Sequence, residues 1–323
     1  MRPQSLLRLL DSVRKQSLYP DEILIIDGST DGETENVLKE NKFQKLKYYL
    51  VSNETRGLTK QRNFGIKKIS DESDIVCFLD DDTVLEHDYF EQLLHTYQVY
   101  PNTLGVGGYI TNEVNWVREV DNYVAKTNEF YYDGWKRTDG SRFILRKKLG
   151  LDSNCPPGYS TTYSHGRSVG FLPPSGKIYE VEMLMGGVSS FKKMIFEKFS
   201  FSEYFEGYGL YEDGDFTLRV SKTGKLHVNT AARLSHFHNP SGRPNQYQYG
   251  RMVVRNGWYV WKVKNPNPAF KDRLKWNLIT ILLTLIRYTN SISGNNKKAA
   301  FTEALGRTAG WWSLLFAKPI LKK

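Results

Sequence analysis

The stretch that decides the fold is Ile75-Val76-Cys77-Phe78-Leu79-Asp80-Asp81-Asp82, in which an apolar run leads directly into three carboxylates. A short apolar run bounded by a turn signal predicts a buried strand, here ending at the aspartates. In an extended chain Asp80 and Asp82 share a face and Asp81 points away. A hard divalent ion would neutralise such neighbouring charges. For the triplet alone, a solvated acidic turn is the commoner explanation.

The same pattern of strand and polar turn is found on both sides of this stretch. Residues 22–26 predict a buried strand that ends at Asp27-Gly28. Further strands are predicted at 46–51 and 104–110, helices at 4–16, 36–39 and 90–97, and a loop leading into a helix over 57–68. This alternation predicts an α/β fold, a Rossmann-like, mostly parallel sheet flanked by helices. Ligands of such sheets bind at the carboxyl ends of the strands, where Asp27 and the triplet lie.

Residues 113–182 interrupt the alternation, and no element is predicted there. Order resumes over 180–193 and in a helix over 213–222.

The net charge of +10 is concentrated in the C-terminal tail. Residues 264–323 carry eleven Lys+Arg and two Asp+Glu, whereas residues 1–263 carry 34 and 33. A basic tail is typical of a surface-binding element, and the alternative is a solvated helical face. The predicted helix 270–287 has an uncharged stretch of only eleven residues, whereas a bilayer span needs about 20. It therefore predicts an interfacial amphipathic helix or a core-packing one.

Several protein classes are excluded by composition and motifs. The 323 residues are 40% hydrophobic and 25% charged, which is ordinary globular composition. The two cysteines, Cys77 and Cys155, form neither a disulfide framework nor a zinc ribbon and indicate a reducing compartment. The sequence has no secretory signal and no G-x-x-x-x-G-K-[ST] phosphate loop. It also has no nucleic-acid-binding signature, so we expect no nucleic-acid partner.

Five motifs occur in a fixed order: 25–32, 56–65, 78–82, 186–193 and 211–219. Over about residues 2–262 this series resembles glycosyltransferase family 2, the inverting enzymes of the GT-A fold. The resemblance implies a hexosyltransferase-like enzyme that uses a UDP- or dTDP-linked sugar donor and Mn²⁺ or Mg²⁺. Its acceptor would be a glycan or lipid-linked molecule of the cell envelope.

On the donor side, the resemblance assigns the nucleotide site to four residues: Asp27, Arg62, Asp80 and Asp81. Asp80 and Asp82 would hold the metal with His236 as third ligand. His236 is favoured over His238, and a histidine in a polar loop is the alternative. The segment 239–243 is interpreted as a loop near the donor diphosphate, with Arg243 on phosphate.

On the acceptor side, the resemblance makes Asp213 the general base. Gly186, Gly187 and Glu212 would contact the acceptor. The alternatives are a tight turn at the glycines and an acidic helix start at 212–215, which the helix dipole would favour.

The resemblance also suggests a division into three parts. Residues 1–112 would bind the nucleotide-sugar, 113–262 the acceptor, and 263–323 form a basic amphipathic tail. The tail would hold a cytoplasmic protein at the inner face of the membrane. The first strand of the family is missing before Arg2, and a misassigned start is favoured over a fragment or an inactive variant. The alternative function is therefore a catalytically inactive sugar-nucleotide-binding or scaffold protein.

Overall fold

The computed structural model describes residues 2–120, 123–238 and 245–321. The chain divides into two compact units. The sheet unit comprises residues 1–115 and 174–241, and the helical unit comprises residues 116–173 and 242–323. The predicted three-part division stays a prediction.

The first half of the chain largely alternates helices with strands and then adds three short strands and a helix. It contains α1 (Pro3–Arg14), β1 (Ile23–Asp27), α2 (Glu33–Glu40), β2 (Leu46–Leu50), α3 (Leu58–Ile66), β3 (Ile75–Leu79), β4 (Thr83–Leu85), α4 (Tyr89–Val99), β5 (Thr103–Ile110), β6 (Val117–Arg118), β7 (Glu129–Tyr132), β8 (Trp135–Thr138) and α5 (Ser141–Lys148). The second half contains β9 (Ile178–Val181), β10 (Val188–Lys192), α6 (Glu212–Ser221), β11 (Lys225–His236), α7 (Gln246–Lys264), α8 (Phe270–Ser293) and α9 (Lys297–Phe316).

The sheet unit contains a parallel pair, β1-β2, and a six-stranded sheet in the order β3-β10-β5-β11-β4, with β9 also paired to β11. In the larger sheet β3, β5 and β11 run in one direction, because β10 is antiparallel to both β3 and β5, and β11 is parallel to β5. Strands β4, β9 and β10 run the other way.

The predicted α/β class is confirmed, and the predicted strands and helices of the first 112 residues are all present within a few residues. Strand–helix alternation did not predict β10 as a central strand. The reason is topological: β10 follows the long insertion after β5 instead of closing a strand–helix–strand unit. The sequence also left 113–182 without elements, and the structure places β6–β8, α5 and β9 there.

The core of the sheet unit begins with the amphipathic face of α1. Leu6, Leu9, Leu10 and Val13 recur at helical spacing and are all buried. Burial of such side chains stabilises the fold by about 1.5–3 kcal/mol each. The helix packs on the strand that follows the aspartate triplet, since the buried Ser12 hydroxyl accepts a hydrogen bond from the Leu85 amide at 3.0 Å. This packing holds β4, and with it the turn formed by the aspartate triplet, in place.

The helical unit contains the antiparallel sheet β6-β8-β7 and the helices α5 and α7–α9. Close helix packing depends on glycine: a Cβ at Gly306 of α9 would lie 2.0 Å from the Tyr247 carbonyl oxygen of α7. On α8, Trp276 and Ile279 are buried, whereas Leu278 and Leu285 are 46% and 54% exposed. The helix therefore has both a packing face and an exposed apolar face. Across the described ranges, no helix is both long enough and apolar enough to span a bilayer.

Candidate active site

The aspartate triplet forms a tight turn between β3 and β4. The Thr83 amide and hydroxyl both donate to the Asp80 carbonyl oxygen, at 3.2 and 2.8 Å. The Asp80 amide donates to the carbonyl oxygen of Gly187, just before the neighbouring strand β10, at 3.0 Å. These bonds fix the three carboxylates at the carboxyl end of β3, where the strand pattern predicted them.

The structure brings Asp80, Asp82 and His236 together. One ligand atom from each lies within 4.8 Å of the other two, and His236 Nε2 is 3.1 Å from Asp82 Oδ1. The register of β4 with β11 causes this, because it pairs His236 with Thr83. Ligands about 2.1 Å from an octahedral ion stand about 3 Å apart. Two carboxylates and an imidazole at this spacing fit a Mn²⁺- or Mg²⁺-type ion.

Arg2 neutralises the other side of the triplet. Its Nη1 lies 2.8 Å from Asp82 Oδ2, and its Nη2 and Nε bind Asp81. Burial by itself would raise the pKa of Asp82, but hydrogen bonds and charge from His236 and Arg2 outweigh it and lower the pKa. The carboxylate is therefore ionised, as a metal ligand must be. Asp81 points to Arg2 and lies outside the group formed by Asp80, Asp82 and His236.

Arg62, from α3, links Asp80 to Glu212. Its Nη1 is 2.5 Å from Glu212 Oε1 and its Nη2 is 3.7 Å from Asp80 Oδ1. The guanidinium also lies against the rings of Phe78 and Phe201. Burial raises the pKa of Asp80, with Arg62 opposing it and Asp82 adding to it. Arg62 is thus the main positively charged side chain beside Asp80.

Glu212 is a buried acid whose two oxygens have different surroundings. Burial raises its pKa to about 8, although Arg62 acts against this shift. Its Oε2 is buried and has no hydrogen-bond partner among the described residues. An unpaired buried polar oxygen costs about 1–3 kcal/mol unless a ligand satisfies it.

Gly186 and Gly187 are required by close contacts with these acids. A Cβ at Gly187 would lie 2.1 Å from the Asp80 carboxylate, and one at Gly186 would lie 2.5 Å from Glu212 Oε1. Any side chain at either position would displace an acid of the site. The acceptor contact expected of these glycines stays a prediction.

Asp213 is at the start of α6, next to Glu212. Its Oδ2 accepts from the Gly186 amide at 3.1 Å and its Oδ1 from the Gly214 amide at 2.8 Å. The residue before Glu212, Tyr211, has φ of +70°, a left-handed backbone that is uncommon for a residue other than glycine. Such strain concentrates at functional sites. Here it turns the chain into the helix that carries both acids.

Asp27 is at the end of β1 and is fully buried. Its Oδ1 accepts from the Ser29 amide and hydroxyl at 2.8 and 2.5 Å, and its Oδ2 accepts from the Tyr48 hydroxyl at 2.9 Å. Burial would raise the pKa of Asp27, but these hydrogen bonds lower it. Contact with a nucleotide base stays a prediction.

Sequence reasoning missed three residues of this region: Arg2, Tyr48 and Glu113. Glu113 Oε1 faces His236 Nδ1 at 3.2 Å and His238 Nε2 at 2.8 Å. Glu113 reaches the two histidines because β11 pairs with β5. No local sequence pattern could have indicated this contact. The predicted loop 239–243, with Arg243, lies outside the described residues.

Part of this chain is similar in sequence to known glycosyltransferases. Residues 1–160 match the family described as Glycosyl transferase family 2. The glycosyltransferase GlyA of Streptococcus pneumoniae is 33% identical over 103 residues, 32% of this chain and 14% of that protein. The glucosyl-dolichyl phosphate glucuronosyltransferase of Haloferax volcanii is 27% identical over 132 residues, 40% of this chain and 38% of that protein. The chain thus matches well under two thirds of either relative's length.

Among solved structures, GalNAc-T7 with UDP, GalNAc and Mn²⁺ resembles this chain with a TM-score of 0.51 at 14% identity. The likeness covers 88% of this chain and 55% of that one. At this identity the likeness is one of fold, and it confirms the predicted GT-A type.

Proposed function

Because its residues 1–160 make this chain a member of glycosyl transferase family 2, we propose that it is an inverting glycosyltransferase. It would transfer a sugar from a UDP- or dTDP-linked donor to a hydroxyl of a glycan or lipid-linked acceptor. The observation that supports this most directly is the convergence of Asp80, Asp82 and His236 at one end of the sheet. The pair Glu212 and Asp213 begins α6 beside the glycines that contact this group.

On the donor side, Asp80, Asp82 and His236 would hold Mn²⁺ or Mg²⁺. When bound, such an ion offsets the negative charge that develops on a departing diphosphate. Arg62, held by Glu212 and beside Asp80, would add a fixed positive charge. Asp27, Arg62, Asp80 and Asp81 stay the proposed nucleotide contacts. In the structure Arg2 binds Asp81, so a nucleotide contact at Asp81 would have to form beside Arg2.

On the acceptor side, Asp213 would take the proton of the attacking hydroxyl. Both its oxygens accept backbone hydrogen bonds, which orient the carboxylate while lone pairs stay available. Glu212 Oε2, buried and unpaired among the described residues, would bind another acceptor hydroxyl. Attack from the face opposite the leaving group inverts the anomeric configuration.

The acceptor class is proposed from the relatives and the helical unit. The Haloferax relative is named for a dolichyl-phosphate-linked sugar, which favours a lipid-linked acceptor. The exposed apolar face of α8, with Leu274, Leu278, Ile281 and Leu285, would contact an anionic membrane surface. The excess of basic residues over 264–323 favours an anionic lipid surface over a second copy of this chain as the partner of this face. Two basic tails would repel each other.

Membrane contact is tested by flotation of the full chain with vesicles of phosphatidylglycerol and phosphatidylcholine. We expect the native chain to bind these vesicles but not neutral vesicles of phosphatidylcholine alone. The double substitution Leu278→Ser and Leu285→Ser should weaken the binding. Equal flotation of the substituted chain, or none of the native chain, would contradict this part.

The donor site is tested by titration calorimetry with UDP, with and without Mn²⁺. We expect Mn²⁺-dependent binding that Asp82→Ala abolishes. Asp71→Ala, at a fully exposed aspartate, is the control. A folded chain that binds no UDP with Mn²⁺ would contradict the proposal.

Catalysis is tested by Asp213→Asn with a panel of UDP- and dTDP-sugars and lipid-linked acceptors. Transfer should disappear while UDP binding persists. The alternative, an inactive sugar-nucleotide-binding protein, predicts binding without transfer in the native chain as well.

A further inference from the structure

A second group of metal-ligating side chains lies beyond His236. It comprises Glu113, His236 and His238, and one ligand atom from each lies within 4.8 Å of the others. Asn112 fixes the spacing: its side chain donates to the His236 carbonyl oxygen at 3.0 Å and accepts from the His236 amide at 2.9 Å. The segment after β5 is therefore fastened to the end of β11, and Glu113 faces both imidazoles.

The distances suit a small tetrahedral ion. Glu113 Oε1 is 3.2 Å from His236 Nδ1 and 2.8 Å from His238 Nε2. Zinc bonds of 2.0–2.1 Å in a tetrahedral site separate the ligand atoms by about 3.3–3.4 Å. Small adjustments of partly exposed side chains would close this set. Two imidazoles and one carboxylate are also a ligand set that zinc accepts with one position left open.

We propose that Glu113, His236 and His238 form a second divalent-metal site, of the class that takes Zn²⁺, and that its occupation excludes the ion at Asp80 and Asp82. The first half of this inference stands on the cluster alone. The exclusion rests on the proposed function, because it assumes a metal at the aspartates.

The exclusion follows from the two nitrogens of one ring. His236 Nε2 faces Asp82 Oδ1 at 3.1 Å, and Nδ1 faces Glu113 Oε1 at 3.2 Å. A neutral imidazole offers one lone pair and one N–H. An ion bound through Nε2 requires Nδ1–H, which donates to Glu113, whereas an ion bound through Nδ1 requires Nε2–H, which donates to Asp82. Each ion therefore needs the tautomer that the other cannot use.

The two sites differ in chemistry as well as in tautomer. The site at β3 offers two carboxylates and one imidazole, which suits Mn²⁺ or Mg²⁺. The second offers two imidazoles and one carboxylate, which suits Zn²⁺. His238 belongs to the second site alone and is 56% exposed, so its replacement separates the two without disturbing the core. Zn²⁺ is thus expected to inhibit the protein by withdrawing His236 from the first site.

The test titrates the metal-free full chain with Zn²⁺ and with Mn²⁺ by calorimetry, in the native sequence, His238→Asn and Asp80→Asn. Circular dichroism checks that each variant is folded. We expect His238→Asn to weaken Zn²⁺ binding at least about ten-fold and to leave Mn²⁺ binding unchanged. Asp80→Asn should weaken Mn²⁺ binding and leave Zn²⁺ binding unchanged. Co²⁺ in place of Zn²⁺ should give the visible absorption of a tetrahedral site in the native chain and lose it in His238→Asn.

Competition tests the exclusion. Added Zn²⁺ should weaken apparent Mn²⁺ affinity more in the native chain than in His238→Asn, where only direct competition at Asp80, Asp82 and His236 remains. Equal Zn²⁺ affinity in the native chain and His238→Asn would overturn the site. The same effect of Zn²⁺ on Mn²⁺ affinity in both chains would overturn the exclusion. Failure of Mn²⁺ to bind the native chain would contradict the proposed function instead, and the Zn²⁺ titrations would still decide the second site.

Discussion

Glu212 Oε1 lies 2.5 Å from Arg62 Nη1, while the other oxygen of the same buried carboxyl group has no hydrogen-bond partner among the described residues. One atom is thus committed to holding Arg62 beside Asp80, and the other is available to a ligand. This division of one side chain connects the proposed donor and acceptor sides.

The first prediction is that Glu212→Gln raises the KM for the acceptor more than it weakens UDP binding. The amide oxygen can stay on Arg62, and the NH2 group then replaces the oxygen that would accept from the acceptor hydroxyl. Leaving a buried polar group unsatisfied costs about 1–3 kcal/mol, so the KM should rise about 5- to 150-fold. Steady-state kinetics and UDP calorimetry measure the two effects. Glu206→Gln, at a half-exposed ion pair with Lys60, is the control, and an equal loss of both affinities would contradict the division.

The second prediction concerns stability and pH. Burial raises the pKa of Glu212 to about 8 from its ordinary value near 4.5. Between these values the native chain retains a proton that the unfolded chain releases, so the free energy of unfolding falls as pH rises. We expect the native Tm to fall more steeply from pH 5 to pH 8 than that of Glu212→Gln. Differential scanning fluorimetry measures this, with the exposed Glu197→Gln as control, and parallel curves would contradict it.

The sequence predicted the parts of the site that lie within one motif. Asp80, Asp82 and Asp213 are found at strand and helix ends, because apolar runs and turn signals mark such ends locally. It did not predict Glu113 or Arg2 as neighbours of the site. Their contacts depend on the pairing of β5 with β11 and on the packing of α1, which involve residues far apart in the chain.

The third prediction is that Gly187→Ala abolishes Mn²⁺ binding. Its Cβ would stand 2.1 Å from the Asp80 carboxylate, so the carboxylate must turn out of the metal group. Gly32→Ala is the matched control, since a Cβ there meets nothing within 4 Å. Calorimetry of both variants with Mn²⁺ measures the difference. Native affinity in Gly187→Ala would show that Asp80 is not a ligand.

The fourth prediction concerns the helical unit. Gly306→Ala should lower the free energy of unfolding by about 1–3 kcal/mol, because the methyl group would force α9 away from the Tyr247 carbonyl oxygen. Gly140→Ala, with open space at its Cβ, should cost less, about 0.5–1 kcal/mol, which is the preference for Gly over Ala at a helix N-cap. Urea unfolding measures both values. Equal stabilities would mean that the helices separate at little cost.

The last prediction concerns Arg2. Its guanidinium holds Asp82 Oδ2 at 2.8 Å and also binds Asp81. It therefore competes with a metal ion for negative charge. Arg2→Ala should bind Mn²⁺ about 3- to 10-fold more tightly, a gain of about 0.7–1.4 kcal/mol. Without metal the variant should melt at a lower temperature than the native chain, since the carboxylates then repel one another, and Mn²⁺ should reduce this difference.

Calorimetry and melting curves, each with and without Mn²⁺, measure both effects, and Arg14→Ala, an exposed arginine at the other end of α1, is the control. Weaker Mn²⁺ binding in Arg2→Ala would reverse the interpretation. Arg2 would then orient Asp82 for the ion instead of competing with it, because losing the guanidinium would cost more in carboxylate order than it gains in charge.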